Sequence, residues 1–131
     1  MISWFEKNYK ISLAITFLIA IAMFYISSLT FGGAGEKGET NLIAVLYHIL
    51  SYFFLALFLG FALIKGKYKS LFIIVILFSI FYGITDEIHQ YFVPGRDASV
   101  SDIGINFIGI ILSSLFYLVS IEYRKKIAKI L

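Results

Sequence analysis

Four apolar stretches alternate with short polar links along the chain. Ile11 to Phe31, Leu42 to Ile64, Leu71 to Thr85 and Ile103 to Ile121 each run without an Asp, Glu, Lys or Arg. A helix needs about 20 such residues to cross a hydrocarbon core about 30 Å thick, and the first, second and fourth stretches meet that length. The third reaches only about 22 Å at about 1.5 Å per residue. To span, its helix must continue into the polar segment that follows, "DEIHQYFVPGRDASVSD", Asp86 to Asp102. The pattern predicts an all-α polytopic membrane protein: one domain over residues 1–131, with spans at about 11–31, 42–64, 70–90 and 102–121. Short links between spans favour an antiparallel four-helix transmembrane bundle.

Composition supports the bilayer as solvent. The 131 residues are 60% hydrophobic and 15% charged, with mean hydropathy +0.93, too apolar for a soluble domain that must cover itself with polar groups. Of the 11 Lys and Arg, all but Lys37 and Arg96 fall on one side of a four-span layout. The positive-inside rule makes that side cytoplasmic, which puts both termini inside and the Asp86–Asp102 loop outside. The net charge of +3 is then a topology signal, and no nucleic-acid partner is expected. The first apolar run is longer than the h-region of a secretory signal, and "FGGAGE" is a poor cleavage site, so it reads as a span. With no cysteine there is no disulfide or thiol chemistry to consider. Trp4, Phe5, Tyr9, Tyr68, Tyr91, Phe92 and Tyr123 lie near the expected boundaries and read as interfacial anchors.

Polar residues within the spans gather at one depth. Helical spacing puts Ser79, Tyr82, Asp86 and either His89 or Gln90 on one stripe of the third span, and Asp102, Asn106, Gly109 and Ser113 on one stripe of the fourth. His48, Ser51 and Tyr52 sit in the outer turns of the second span, and Tyr25 and Ser28 near the outer end of the first. The inner halves, "FFLALFLGFALI" and "LFIIVILF", are apolar, so a water-filled pore is not expected. Ionisable groups within spans are costly, about 2.5–3.5 kcal/mol for Asp at a helix centre, and are functional by default.

The bland readings stand beside the functional one. Pro94-Gly95 is a turn dipeptide that should end the third helix, and Ser99 or Ser101 is a suitable N-cap for the fourth, with Asp102 in its first turn. A histidine such as His48 is more often a packed, hydrogen-bonded side chain than a ligand. Arg96 suits a phosphate or carboxylate bidentately, or an internal ion pair with Glu87 or Asp102. Asp86, Glu87 and His89 are the metal-site candidates by spacing, but there is no HExxH and no second His at i+4. No metal or other cofactor is expected.

The segment "DEIHQYFVPGRDASVSDIGINFIG" resembles the signature of the VanZ-like membrane proteins. There an acidic D-E-x-x-Q precedes a P-G-R turn, a small hydroxyl residue and D-x-x-x-N-x-x-G. The resemblance covers Tyr82, Asp86, Glu87, Gln90, Pro94, Gly95, Arg96, Ser99, Asp102, Asn106 and Gly109, and His48 with Tyr52 resembles the family's H-x-x-x-Y. Ala44 and Val45 stand where members often carry an Asp-Lys pair, and Ser113 where a further glycine is common. The resemblance implies a multi-pass protein of the bacterial plasma membrane, whose archetype is associated with low-level teicoplanin resistance.

The candidate functional cluster is therefore His48, Tyr52, Tyr82, Asp86, Glu87, Gln90, Arg96, Asp102 and Asn106, with no residue assigned as catalytic. Three functions compete. The leading one is an outward-facing pocket for a lipid head group, a lipid-linked wall precursor or a lipoglycopeptide. The second is an intramembrane enzyme acting on an envelope lipid through Asp86 or Glu87 and His48. The third is a structural clasp between helices, the protein acting through a partner. A membrane lipid or lipid-linked envelope molecule is the expected partner, and a homo-oligomer is compatible with all three.

Overall fold

In hydrocarbon every backbone N–H and C=O must be satisfied within the chain, so apolar runs of this length resolve into helices. The computed structural model describes residues 1–29, 42–96 and 99–130; the "GGAGEKGETN" link and Asp97 lie outside the described residues. Helix α1 (Ile2–Lys7) is a short lead-in, followed by α2 (Tyr9–Ser27), α3 (Leu42–Ile64), α4 (Phe72–Tyr91) and α5 (Val100–Ile130). A single 3-10 turn, Lys69–Leu71, leads into α4. Four helices, with that turn counted in the third, are long and apolar enough to cross a membrane. There is no strand among the described residues.

Two boundaries carry the site. The apolar run of α4 continues as helix through Asp86, Glu87 and Gln90 to Tyr91, so the acidic part of the motif is the last turns of a membrane-length helix. The chain then reverses at Pro94-Gly95: Gly95 has φ 79° and the Arg96 N–H donates to Val93 O at 3.1 Å. That is a turn with proline at its second position and a left-handed glycine at its third, as type II requires. Ser99 precedes α5, and its Oγ accepts the Ser101 N–H at 3.2 Å, which makes Ser99 the N-cap and leaves Ser101 inside the helix. At its other end α5 runs beyond the expected span limit at residue 121, through the charged Glu122–Lys129 segment, to Ile130.

Helix α3 is the centre of the bundle. It packs against α2, α4 and α5, most extensively against α5, while α4 lies against both α3 and α5 and touches α2 only at its margin. Consecutive long helices run antiparallel, so the closest pair, α3 and α5, is parallel: His48 meets Asn106, each near the start of its helix. Gly109 makes this approach possible. A Cβ there would fall 2.4 Å from Ile49 O and 3.1 Å from Phe53 N, so the two backbones are in direct contact. The apolar core is built on Leu55, Leu59, Phe61, Ile64, Val75, Ile110, Tyr117 and Ile121, and Ser12, Thr16 and Ser113 are buried as well. Phe5, expected as an interfacial anchor, instead packs against Phe58 and Phe61 beneath α3, while Trp4, Tyr68, Tyr91, Phe92 and Tyr123 stay exposed. Phe17, Leu18, Ile21, Phe24, Phe78, Phe81, Phe116 and Val119 face outward, a surface that lipid rather than water would cover.

Candidate functional site

The polar stripes of three helices converge at the end of the bundle that carries the Asp86–Asp102 motif. Helix α3 supplies His48 and Tyr52, α4 supplies Ser79, Asp86, Glu87 and Gln90, and α5 supplies Asn106; all seven are buried. Asp102, in the first turn of α5, is half-buried. His48 Nδ1 lies 2.9 Å from Asn106 Oδ1, Gln90 Nε2 donates to Asp86 Oδ2 at 3.0 Å, and the Ser99 N–H donates to Glu87 Oε2 at 3.3 Å. Gly83 on α4 leaves room for this: a Cβ there would come within 3.2 Å of the Tyr52 ring and 3.5 Å of the Asn106 amide.

Spacing left His89 and Gln90 as alternatives for the stripe, and the fold chooses Gln90. His89 turns to α2, stacking on Phe24 with ring centroids 4.3 Å apart and placing Nε2 2.9 Å from Ser28 Oγ. The ligand-type group that does form is a different one: His48, Glu87 and Asp102 bring one ligating atom each to within 4.8 Å of one another. Two members of the candidate set tie the cluster to α2. Tyr82 donates from its hydroxyl to Ala20 O at 2.6 Å, and Arg96 donates from Nη2 to Ile26 O at 2.9 Å and from Nε to Ser27 O at 3.3 Å.

The cluster is polar beyond its internal needs. Tyr52 Oη, Ser79 Oγ, Asp86 Oδ1, Glu87 Oε1 and Asn106 Nδ2 are buried without a hydrogen-bond partner among the described residues. Leaving such a group unpaired costs about 1–3 kcal/mol, more for a charged one, so Asp86 Oδ1, Glu87 Oε1 and Asn106 Nδ2, near the motif end, ask for a ligand, ion or water. Beside them, between α4 and α5, lies a hollow of about 260 Å³ lined by Ile80, Gly83, Ile103, Asn106, Phe107 and Ile110 among others, almost wholly apolar except for Asn106.

A second polar node lies at the end that carries the termini, among cations that from sequence alone signal only topology. Glu6 accepts both Arg124 Nη1 (2.7 Å) and Nη2 (2.5 Å), and the Tyr117 hydroxyl at 2.7 Å; that hydroxyl accepts the Gly66 N–H at 3.0 Å. Burial pushes the Glu6 carboxyl up, but the hydrogen bonds from Arg124 and Tyr117 outweigh it and hold the group below its ordinary value. Lys69 pairs with Glu122 nearby. The available signal was Glu6 itself, the one acid preceding the first span, set among cations.

Four membrane-length helices with a buried polar cluster at one end define a multi-pass helical membrane protein. The VanZ/LLP1 family profile matches residues 3–121, and the chain belongs to that family. No curated protein and no solved structure matches it.

Proposed function

We propose that the motif end of the bundle faces out of the cell and binds the polar head group of an envelope amphiphile whose hydrocarbon tail lies between α4 and α5. One observation carries this reading: Asn106 belongs both to the polar cluster, with Nδ2 unpartnered among the described residues, and to the wall of the apolar hollow. Head-group and tail sites thus share a residue, the geometry an amphiphile entering from the bilayer requires. Asp86 Oδ1 and Glu87 Oε1 offer acceptors to hydroxyls or amines, Asn106 Nδ2 a donor to a phosphate or carbonyl oxygen, and Arg96 a positive charge at the rim. Outward orientation rests on the cation count at the opposite end. A phospholipid, a lipid-linked wall precursor and a lipid-tailed glycopeptide such as teicoplanin all present this chemistry, and sequestering the last would lower susceptibility to it.

The test is native mass spectrometry of the protein in lipid nanodiscs, in the presence of EDTA, with Glu87→Gln and Asn106→Leu as variants. Each variant should lose at least tenfold in retention of the amphiphile, and cells expressing Glu87→Gln should lose any gain in teicoplanin tolerance seen with the unaltered chain. Unchanged retention in both variants would refute the reading. A second reading, an enzyme acting on the same lipid, is favoured by the approach of His48 to Glu87, whose ligating atoms lie within 4.8 Å. Turnover of a radiolabelled lipid extract by the purified protein, abolished in Glu87→Gln, separates it from binding alone.

A further inference from the structure

We propose that His48, Glu87 and Asp102 form a binding site for a divalent first-row transition cation, Mn²⁺ or Zn²⁺. The three come from different helices, α3, α4 and α5, yet their ligating atoms lie within 4.8 Å of one another. Donors held about 2.0–2.2 Å from a single ion sit about 3–4.4 Å apart, so side-chain adjustments of under about 1 Å complete the set. One imidazole with two carboxylates suits Mn²⁺ or Zn²⁺, whereas Ca²⁺ and Mg²⁺ prefer oxygen alone.

An independent observation points into the same space. Glu87 is only 4% exposed, and its Oε1 has no partner among the described residues, while Oε2 is anchored by the Ser99 N–H at 3.3 Å. A buried carboxylate held by one oxygen, with the other unpaired, is oriented as a ligand. His48 is oriented in the same manner. As the Asn106 amide is placed, its Oδ1 accepts from His48 Nδ1 at 2.9 Å, which leaves Nε2 as the ring nitrogen for a metal. A ring nitrogen fixed by an amide or carboxylate oxygen is the usual outer support of a metal-bound histidine. Asp86 is set apart from this group, since its Oδ2 accepts Gln90. Asp102 is half-buried, and three protein donors leave at least one position of a tetrahedral ion for water or an anionic oxygen. Without a cation, two carboxylates converge in a poorly solvated place, an arrangement that each disfavours in the other.

This site shares Glu87 and Asn106 with the head-group reading, but the metal alone tests it, without any amphiphile. The full chain, purified with a tag that contains no histidine, is stripped with chelator and dialysed against MnCl₂ or ZnCl₂. Elemental analysis should find about one ion per chain, and electron spin-echo spectroscopy of the Mn²⁺ form should show nitrogen coupling from a single imidazole. Glu87→Gln and His48→Gln should each weaken binding at least tenfold, and Asn106→Leu by about 10–100-fold. His89→Gln, which alters the stack on Phe24, should leave binding unchanged. The nitrogen coupling needs no variant, so a misfolded mutant cannot mask the result. Absence of a stoichiometric ion, of the nitrogen coupling, or of any effect in both Glu87→Gln and His48→Gln would overturn the proposal; carboxylates sharing a proton in place of a metal would give those results.

Discussion

Replacing Gly109 by alanine adds one methyl group where α5 meets the backbone of α3. That methyl would lie 2.4 Å from Ile49 O and 3.1 Å from both Ile49 C and Phe53 N, against an ordinary contact of 3.4–4 Å. Every close atom is main chain, so no side chain can swing aside and the helices must separate by about 1 Å or tilt. Overpacking of this kind costs about 1–3 kcal/mol, from which alanine's helix-propensity advantage returns at most about 1 kcal/mol. Gly104, on the same helix, has nothing within 4 Å of a built Cβ. There the same substitution keeps only the propensity gain. Gly109→Ala should therefore be destabilised relative to Gly104→Ala; the propensity gain is common to both, so the two differ by the overpacking alone, about 1–3 kcal/mol. The measurement is unfolding in mixed micelles titrated with denaturing detergent, followed by far-UV circular dichroism. Gly109 lies one turn beyond Asn106 and faces Ile49, the neighbour of His48, so separation of the helices should also loosen the His48–Asn106 contact. Equal stability of the two variants would refute the inference that backbone contact at Gly109 sets the α3–α5 distance.

Three further outcomes follow from the same geometry. The Glu6 carboxyl is held below its ordinary value of 4.5, so its contribution to stability is full above the unfolded-state value and is lost as pH falls through the lower folded-state value; the stability gap between the unaltered protein and Glu6→Gln should be constant above about pH 5 and close in acid, as followed by thermal unfolding across pH. Tyr82→Phe removes the 2.6 Å bond to Ala20 O, and interhelical polar contacts in membranes average about 0.6 kcal/mol; a loss of that order, seen in the same detergent titration, is expected, and one several times larger would mean Tyr82 has a further role. Ser99→Ala removes the N-cap of α5 and should cost about 1 kcal/mol, whereas Ser101→Ala, inside the helix and exposed, should cost little.

Much of this architecture was legible along the chain because the bilayer imposes simple rules on length and polarity. Uncharged runs long enough to span resolve into helices, and the shortfall of Leu71–Thr85 required α4 to carry Asp86, Glu87 and Gln90. The Pro94-Gly95 turn and the cap at Ser99 follow from backbone chemistry local to a few residues. Periodicity put Asn106 on the stripe of α5 that begins at Asp102, and Asn106 meets His48; it also put Tyr82 on the stripe of Asp86, yet the Tyr82 hydroxyl bonds to α2.

What periodicity cannot supply is the identity of the partner helix. Nearly every face of these helices is apolar, so hydrophobicity hardly marks how each is rotated, and i+3 and i+4 neighbours compete equally for one face. Only the packed bundle separates Gln90, turned inward to Asp86, from His89, turned to Phe24 and Ser28. Only the backbone contact at Gly109 makes the parallel pair α3 and α5 the closest, and that contact brings His48 to Asn106 and toward Glu87 and Asp102. The Glu6–Arg124 node joins residues from the two ends of the chain, a pairing set by where α1 docks beneath α3. Sequence determined which residues are polar, at what depth and on which helix; close approach of the helices, which depends on side-chain volume at a few glycines, decided which of them meet.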